Sequence, residues 1–374
     1  MRRRATRQVR VGEVAVGGGS PITVQTMTKT HTHDARATLA QIEECAAAGC
    51  NLIRVAAPTA DDAQALNEIV PRSPLPIIAD IHFDHRLALA ALEAGVQGLR
   101  LNPGNLRGRD KIELIAREAS KRGIPIRVGA NAGSLAPQLR KRVEAGLTTV
   151  AEAMVESVLE EIRLLEESGF REIKVSLKAS DAPTTVEAYR LLAPRCDYPF
   201  HVGVTEAGPG LRGAVKSALG IGVLLFEGLV DTLRVSLTAS PEEEVRVGRL
   251  LLQAAGLMTD MPDLVSCPTC GRLEVDLAPV ADEIERFMER KRIAIKVAVM
   301  GCSVNGPGEA READVGLAAG KGFALIFRRG RVVRRVAADQ MLDALKEEIE
   351  RFEKDSHKGQ FVVPPSGGPR KKTH

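Results

Sequence analysis

Between Ile22 and about Ala255 the chain repeats one pattern eight times: a short β-branched run, then a longer amphipathic segment. The runs are Ile22 to Met27, Asn51 to Ala56, Pro76 to Ile81, Gly98 to Leu101, Pro125 to Gly129, Glu172 to Leu177, Pro199 to Val204 and Thr232 to Leu237. Helical patterns between them include Ala35 to Ala48, Arg86 to Glu93, Asp110 to Arg122, Val150 to Ser168, Glu187 to Leu192 and Glu242 to Ala255. Gly49, Gly95, Gly123 and Gly169 stand where helix C-caps favour glycine. Alternation of this kind builds a parallel sheet, because each helix returns the chain to the same edge. Eight units in roughly 230 residues match a closed TIM (β/α)8 barrel, whereas a doubly wound sheet seldom needs so many.

Past Met261-Pro262 the texture changes to a cysteine pair, a helix from Pro279 to Arg292, a strand from Ile295 to Met300, short strands and a final helix. The expected division is a barrel over 1–260, a smaller α+β domain over 261–357, and a disordered tail over 358–374, where Pro, Gly and basic residues lack periodicity. The 52 basic and 48 acidic residues nearly cancel, and aromatics make up 3% without tryptophan, so neither charge nor stacking supports a nucleic-acid binder. The basic start has no apolar core of a secretory signal and no run reaches membrane-helix length, so a cytoplasmic protein without membrane contact is expected.

Five strands carry a basic residue between aliphatics: Arg54, Arg100, Arg127, Lys174 and Arg234. Neither face of a barrel strand is freely solvated, so these charges are costly unless anions compensate them. Period-two counting carries the same faces on to Asn102, Asn131, Ser176 with Lys178, and Ser236 with Thr238 near the strands' carboxyl ends. A phosphate ester or diphosphate bound in that mouth would supply the compensation. Pairing with interior acids such as Asp80 and Glu206 is the plainer alternative for any one of them. Asp80, His82 and Glu206 are acid/base or orienting candidates; His31, His33, His85 and His201 have no spacing that argues for a metal.

In the second domain Cys267 and Cys270 form a C-x2-C turn, and Cys302 follows the strand ending at Met300. Cys45, Cys50 and Cys196 fall in the barrel, so a fourth ligand must be another residue type, and Glu309 in the Asn-Gly-Pro-Gly-Glu turn is the candidate. With no histidine in the segment, this inventory suits a [4Fe-4S] cluster better than structural zinc, though a lone C-x2-C also occurs in zinc ribbons. Three functions remain open on the residues alone: an iron-sulfur reductase acting on a phosphorylated ligand, a phosphosugar-binding barrel lyase or aldolase using Lys174 or Lys178 as Schiff base beside a structural metal domain, and a redox-sensing cluster protein.

The segments VQTMT at Val24, RVA at Arg54, IADIHF at Ile78, LNPGN at Leu101, VSLKAS at Val175, VTEAG at Val204, RVSLT at Arg234, SCPTCGR at Ser266 and GCSVNGPGEA at Gly301, in this order, resemble the bacterial 4-hydroxy-3-methylbut-2-enyl diphosphate synthase family. The resemblance runs from about Arg7 to Glu353. It implies a homodimeric enzyme with a TIM barrel and a [4Fe-4S] domain whose ligands are Cys267, Cys270, Cys302 and Glu309. It implies that 2-C-methyl-D-erythritol 2,4-cyclodiphosphate is opened and dehydroxylated with two electrons from flavodoxin or ferredoxin. It also implies that Arg54, Arg100, Arg127, Asn131, Lys178, Arg234 and Ser236 grip the diphosphate, with Glu206 beside the carbon skeleton. The cluster domain of one subunit would cover the barrel of its partner.

Overall fold

The computed structural model describes residues 2–82, 84–101, 108–271, 273, 275–302 and 310–357. It divides into two compact units, Met1–Leu257 and Met258–His374.

The first unit opens with an antiparallel hairpin, β1 (Gln8–Val11) and β2 (Val14–Gly17). The eight barrel strands follow: β3 (Thr23–Met27), β4 (Leu52–Ala56), β5 (Ile77–Asp80), β6 (Gly98–Arg100), β7 (Ile126–Asn131), β8 (Ile173–Lys178), β9 (His201–Val202) and β10 (Thr232–Leu233). They lie in the order β8-β7-β6-β5-β4-β3-β10-β9, with every pairing parallel. The ring closes between β8 and β9 where Val175 N–H donates to Pro199 O at 3.0 Å and bridges Phe200. Beside that bridge Tyr189 Oη accepts from Leu177 N–H at 2.9 Å and donates to His201 O at 2.6 Å, so a side chain extends the seam.

The helices are α1 (Ala35–Ala47), α2 (Ala60–Arg72), α3 (His85–Glu93), α4 (Arg109–Lys121), α5 (Pro137–Glu144), α6 (Val150–Glu167), α7 (Ala182–Leu192), α8 (Gly210–Phe226) and α9 (Pro241–Ala254). Local chemistry sets their ends. Thr149 and Glu152 form a capping box on α6, and Gly49, Gly95, Gly123 and Gly169 take positive φ just past helix ends, where a side chain would be strained. The helical patterns named from the sequence leave out α2, α5 and α8; the apolar stripe of α2 is only Ala63, Leu66 and Ile69, and its last turn holds Pro71.

The hairpin is a further departure from the expected βα series. Val9, Val11 and Val16 pack on Leu52 and Ile78 near the starts of β4 and β5, so the hairpin plugs the barrel's amino-terminal end. The basic start fastens it there: Arg3 pairs with Asp231 at 2.8 Å, Arg7 pairs with Asp197 at 2.8 Å, and Arg4 donates to Cys196 O at 2.6 Å over the Phe200 ring.

The second unit is a five-stranded sheet, β11 (Asp263–Ser266), β12 (Lys296–Met300), β13 (Val315–Gly320), β14 (Phe323–Arg328) and β15 (Arg331–Ala337), in sequence order. The first three strands are parallel and the last two antiparallel. Helices α10 (Ala278–Lys291) and α11 (Met341–His357) bury Ile284, Met288, Leu345 and Ile349 against Val297, Val299, Val315 and Leu317 on one face. The tail and Glu309 lie outside the described residues.

Candidate functional site

A strand period of two places Thr23, Gln25 and Met27 of β3, Arg54 of β4, Asp80 of β5, Arg100 of β6, Arg127 of β7, Lys174 and Lys178 of β8, His201 of β9, and Thr232 with Arg234 at β10 on the inward faces. Six of these are basic. Two buried acids answer them: the Asp80 carboxylate lies 3.6 Å from Arg54 Nε, 3.4 Å from Arg100 Nη1 and 3.4 Å from His82 Nε2, and Glu244 of α9 lies 3.5 Å from Arg234 Nη2. Burial opposes that charge, but Arg54, His82 and Arg100 outweigh it and hold Asp80 below the usual carboxylate range. Glu206 is not among these interior acids. It is exposed, just beyond β9.

The cations remain under-compensated. Burial, together with Arg234 and Arg100, outweighs Asp80 and brings Arg54 down to about 10. Burial next to the other guanidinium groups lowers Arg127 and Lys178 well below their ordinary values. Arg54 donates through Nε and Nη2 to Met27 Sδ at 3.1 and 2.9 Å, a weak acceptor for a guanidinium. Buried atoms with no hydrogen-bond partner include Arg127 Nε, Lys174 Nζ, Arg234 Nε, His201 Nδ1, both Gln25 side-chain heteroatoms, and the Thr23 and Thr232 hydroxyls. Native interiors tolerate few such atoms, so their density here singles out the barrel interior as the candidate site.

Above this layer, register pairs Asn131 with Lys178 at the carboxyl ends of β7 and β8. Lys178 Nζ lies 3.4 Å from His201 Nε2. Glu206 has φ +53°, and its neighbours anchor it: Thr205 N–H donates to Ala179 O at 3.0 Å and Ala207 N–H to Ser236 O at 3.3 Å. A non-glycine residue held left-handed between two strand ends is strain of the kind found at functional sites. Arg54, Arg100, Arg127, Lys178 and Arg234 thus share one interior, with Asn131, Ser236 and Glu206 following the strand ends. Asn102 lies outside the described residues.

Two buried titratable residues near the site escaped the sequence. His201 is fully buried beside Lys178, and its signal was its inward parity in the run from Pro199 to Val204, not any metal-like spacing. Glu161 of α6 is buried and accepts from Gly129 N–H at 2.9 Å, a group the short strand β6 leaves without a ladder partner. Burial pushes its carboxyl up to about 8. Nothing local in α6 distinguishes it.

In the second unit, β11 and β12 pair Ser266 with Val299, so Cys267 and Cys302 leave the same end of neighbouring parallel strands. Cys267 N–H donates to Val299 O at 3.0 Å, and Leu273 N–H to Cys270 O at 3.0 Å. Leu273 lies over the bare Cα of Gly301, where a Cβ would collide with it, bringing the Cys270 turn against the Cys302 turn. None of the three cysteines forms a disulfide. Among the described residues no three His, Cys, Asp or Glu side chains converge as a ligand group.

Comparison with known proteins gives two family matches, the GcpE TIM-barrel domain over residues 6–249 and the GcpE protein C-terminal domain over 263–351. The chain is similar to the 4-hydroxy-3-methylbut-2-en-1-yl diphosphate synthase (flavodoxin) of Geobacter sulfurreducens, 54% identical over 94% of this chain and 99% of that one. It is also similar to the proteins of that name from Geobacillus thermodenitrificans, 50% identical over 94% and 93%, and Persephonella marina, 50% identical over 94% and 99%. Among solved structures, the Yersinia pestis dihydropteroate synthase aligns over 67% of this chain and 98% of that one, with a TM-score of 0.46 and 11% identity.

Proposed function

The chain belongs to the GcpE family, and on that premise we propose that it converts 2-C-methyl-D-erythritol 2,4-cyclodiphosphate to (E)-4-hydroxy-3-methylbut-2-enyl diphosphate by reductive ring opening, in non-mevalonate isoprenoid synthesis. The observation that carries the reading is the barrel interior. Arg54, Arg100, Arg127, Lys174, Lys178 and Arg234 share the barrel interior, where Asp80 pairs with Arg54 and Arg100 and Glu244 with Arg234, and polar atoms are left unpartnered. A diphosphate supplies the missing acceptors and negative charge, and planar guanidinium groups match its oxygens.

Arg54, Arg100, Arg127, Lys178 and Arg234 bind the diphosphate, while Asn131 and Ser236 at the strand ends add neutral hydrogen bonds. Asp80 orients Arg54 and Arg100. The left-handed turn at Glu206 presents its carboxyl at the mouth, where it donates a proton or hydrogen bond to the carbon skeleton.

Cys267, Cys270 and Cys302, with Glu309, hold a [4Fe-4S] cluster in this reading. The donor chemistry fits: three cysteines outside any disulfide, on two turns packed together through Leu273 and Gly301, in a segment where Ser266 to Glu309 contains no histidine for a zinc Cys3His set. When bound, such a cluster supplies one-electron transfer, fed by flavodoxin in the cytoplasm.

Helix α8 supports a homodimer. Leu211, Val215, Leu219, Val223 and Phe226 recur at helical spacing on one face, and Leu211, Leu219 and Phe226 are 81%, 59% and 65% exposed. A solvent-facing apolar stripe of that length asks for cover, and a second copy can bring an identical one about a two-fold axis.

The test is direct. Anaerobically purified protein with reduced flavodoxin and the cyclodiphosphate should release the linear diphosphate, and iron-replete protein that does not would refute the reading. Cys302→Ala should lose both iron and turnover; full iron content in that variant would remove Cys302 from the ligands.

A further inference from the structure

One inward-facing cation of the barrel, Lys174, has no task in that binding site. Lys174 is 1% exposed, stands two inward steps below Lys178 on β8, and its Nζ has no hydrogen-bond partner. Its register partner on β7 is Arg127. From β9 it faces His201, kept neutral by burial and the surrounding cations, and Lys178 lies above on its own strand. Arg54, Arg100 and Arg234 share the same interior, and its acids are committed elsewhere, Asp80 to Arg54, Arg100 and His82, and Glu244 to Arg234 and Lys29. Further polar atoms of that interior, on Gln25, Thr23 and Thr232, are uncharged and likewise unpartnered.

Two unpaired cations side by side, each 1% exposed, are unfavourable enough that one gives up its proton. A guanidinium does not do so, whereas a lysine ammonium does. Burial, and then Arg127, accordingly bring Lys174 down to about 7.

We propose that Lys174 adjusts the charge of the barrel to its occupancy: it stands as a neutral amine behind Arg127 while the site is free, and takes up one proton from solvent when a diphosphate enters. No other bond changes. Lys174 does not touch the ligand; it acts through Arg127, as a positioning residue that relieves repulsion in the free protein and adds attraction in the complex. The inference rests on the diphosphate reading above. It has a sign: uptake on binding makes affinity fall as pH rises above the free-state value, because the proton must then be drawn from a poorer supply.

Calorimetric titration of the full chain, purified anaerobically, with 2-C-methyl-D-erythritol 2,4-cyclodiphosphate in buffers of different ionisation enthalpy counts protons taken up per ligand bound. Near pH ~8 the unmodified protein should exceed Lys174→Met by about one proton per site, and the excess should shrink toward pH ~6, where Lys174 is already charged. Lys178, which meets the ligand, contributes equally to both proteins, so the difference isolates Lys174. Lys174→Arg, permanently charged, should bind while losing that proton, and keeps the question open to measurement should the methionine variant not fold. Equal uptake in the unmodified protein and a folded variant overturns the proposal. Absence of binding to the unmodified protein would instead overturn the diphosphate reading.

Discussion

Asp80→Asn removes one charge and leaves shape nearly unchanged, so it isolates what this interior acid contributes. At 3.4 and 3.6 Å, its interactions with Arg100 and Arg54 are each worth about 5 kcal/mol at an effective dielectric near 20. Part of that sum offsets the cost of burying the carboxylate itself, and removing one partner from a buried ion pair usually destabilises by about 3–5 kcal/mol. In a unit of this size each kcal/mol lowers the melting temperature by about 2–4 °C, so the variant should melt roughly 6–20 °C lower. Adding diphosphate ion should restore part of the loss, since a ligand at about a hundred times its dissociation constant stabilises by about 2.7 kcal/mol. Differential scanning calorimetry with and without inorganic diphosphate reads both effects. A variant melting within about 2 °C of the parent would show that the cations are already balanced without Asp80, and the case for a bound anion would go with it.

Glu161 titrates with the opposite sign. Its folded carboxyl is raised to about 8, so its contribution is full below the unfolded value and is lost as pH rises toward 8. Glu161→Gln, which keeps an acceptor for Gly129, should flatten the fall in stability across that interval, and Glu161→Leu should cost about 1–3 kcal/mol by leaving the amide unpaired; chemical denaturation at several pH values would expose an unchanged slope. On the α8 face, Leu219→Glu with Phe226→Glu should convert a dimer to a monomer by light scattering without loss of helix content. A parent protein already monomeric at micromolar concentration would dispose of that interface.

The barrel could be read from the chain because its information is local. Each strand carries its own β-branched run, each helix its own stripe and cap, and eight repetitions admit few closed arrangements. Period two placed Arg54, Arg100, Arg127, Lys174 and Arg234 on defined faces, and the absence of histidine near Cys267, Cys270 and Cys302 narrowed the ligand chemistry before any fold was known. What could not be read is which of those faces meet. His201 and Lys178 are 23 residues apart and lie 3.4 Å from each other only because β8 and β9 close the ring, a closure secured by Tyr189 from the intervening helix. Glu161 serves Gly129 from 32 positions away because β6 stops short, and the basic start becomes a clasp because Asp197 and Asp231 reach the barrel's floor beside it. Periodicity reports the side of an element on which a residue sits. Whether a charge there finds a partner depends on distances set when the ring closes, and those follow from the packing of segments far apart along the chain.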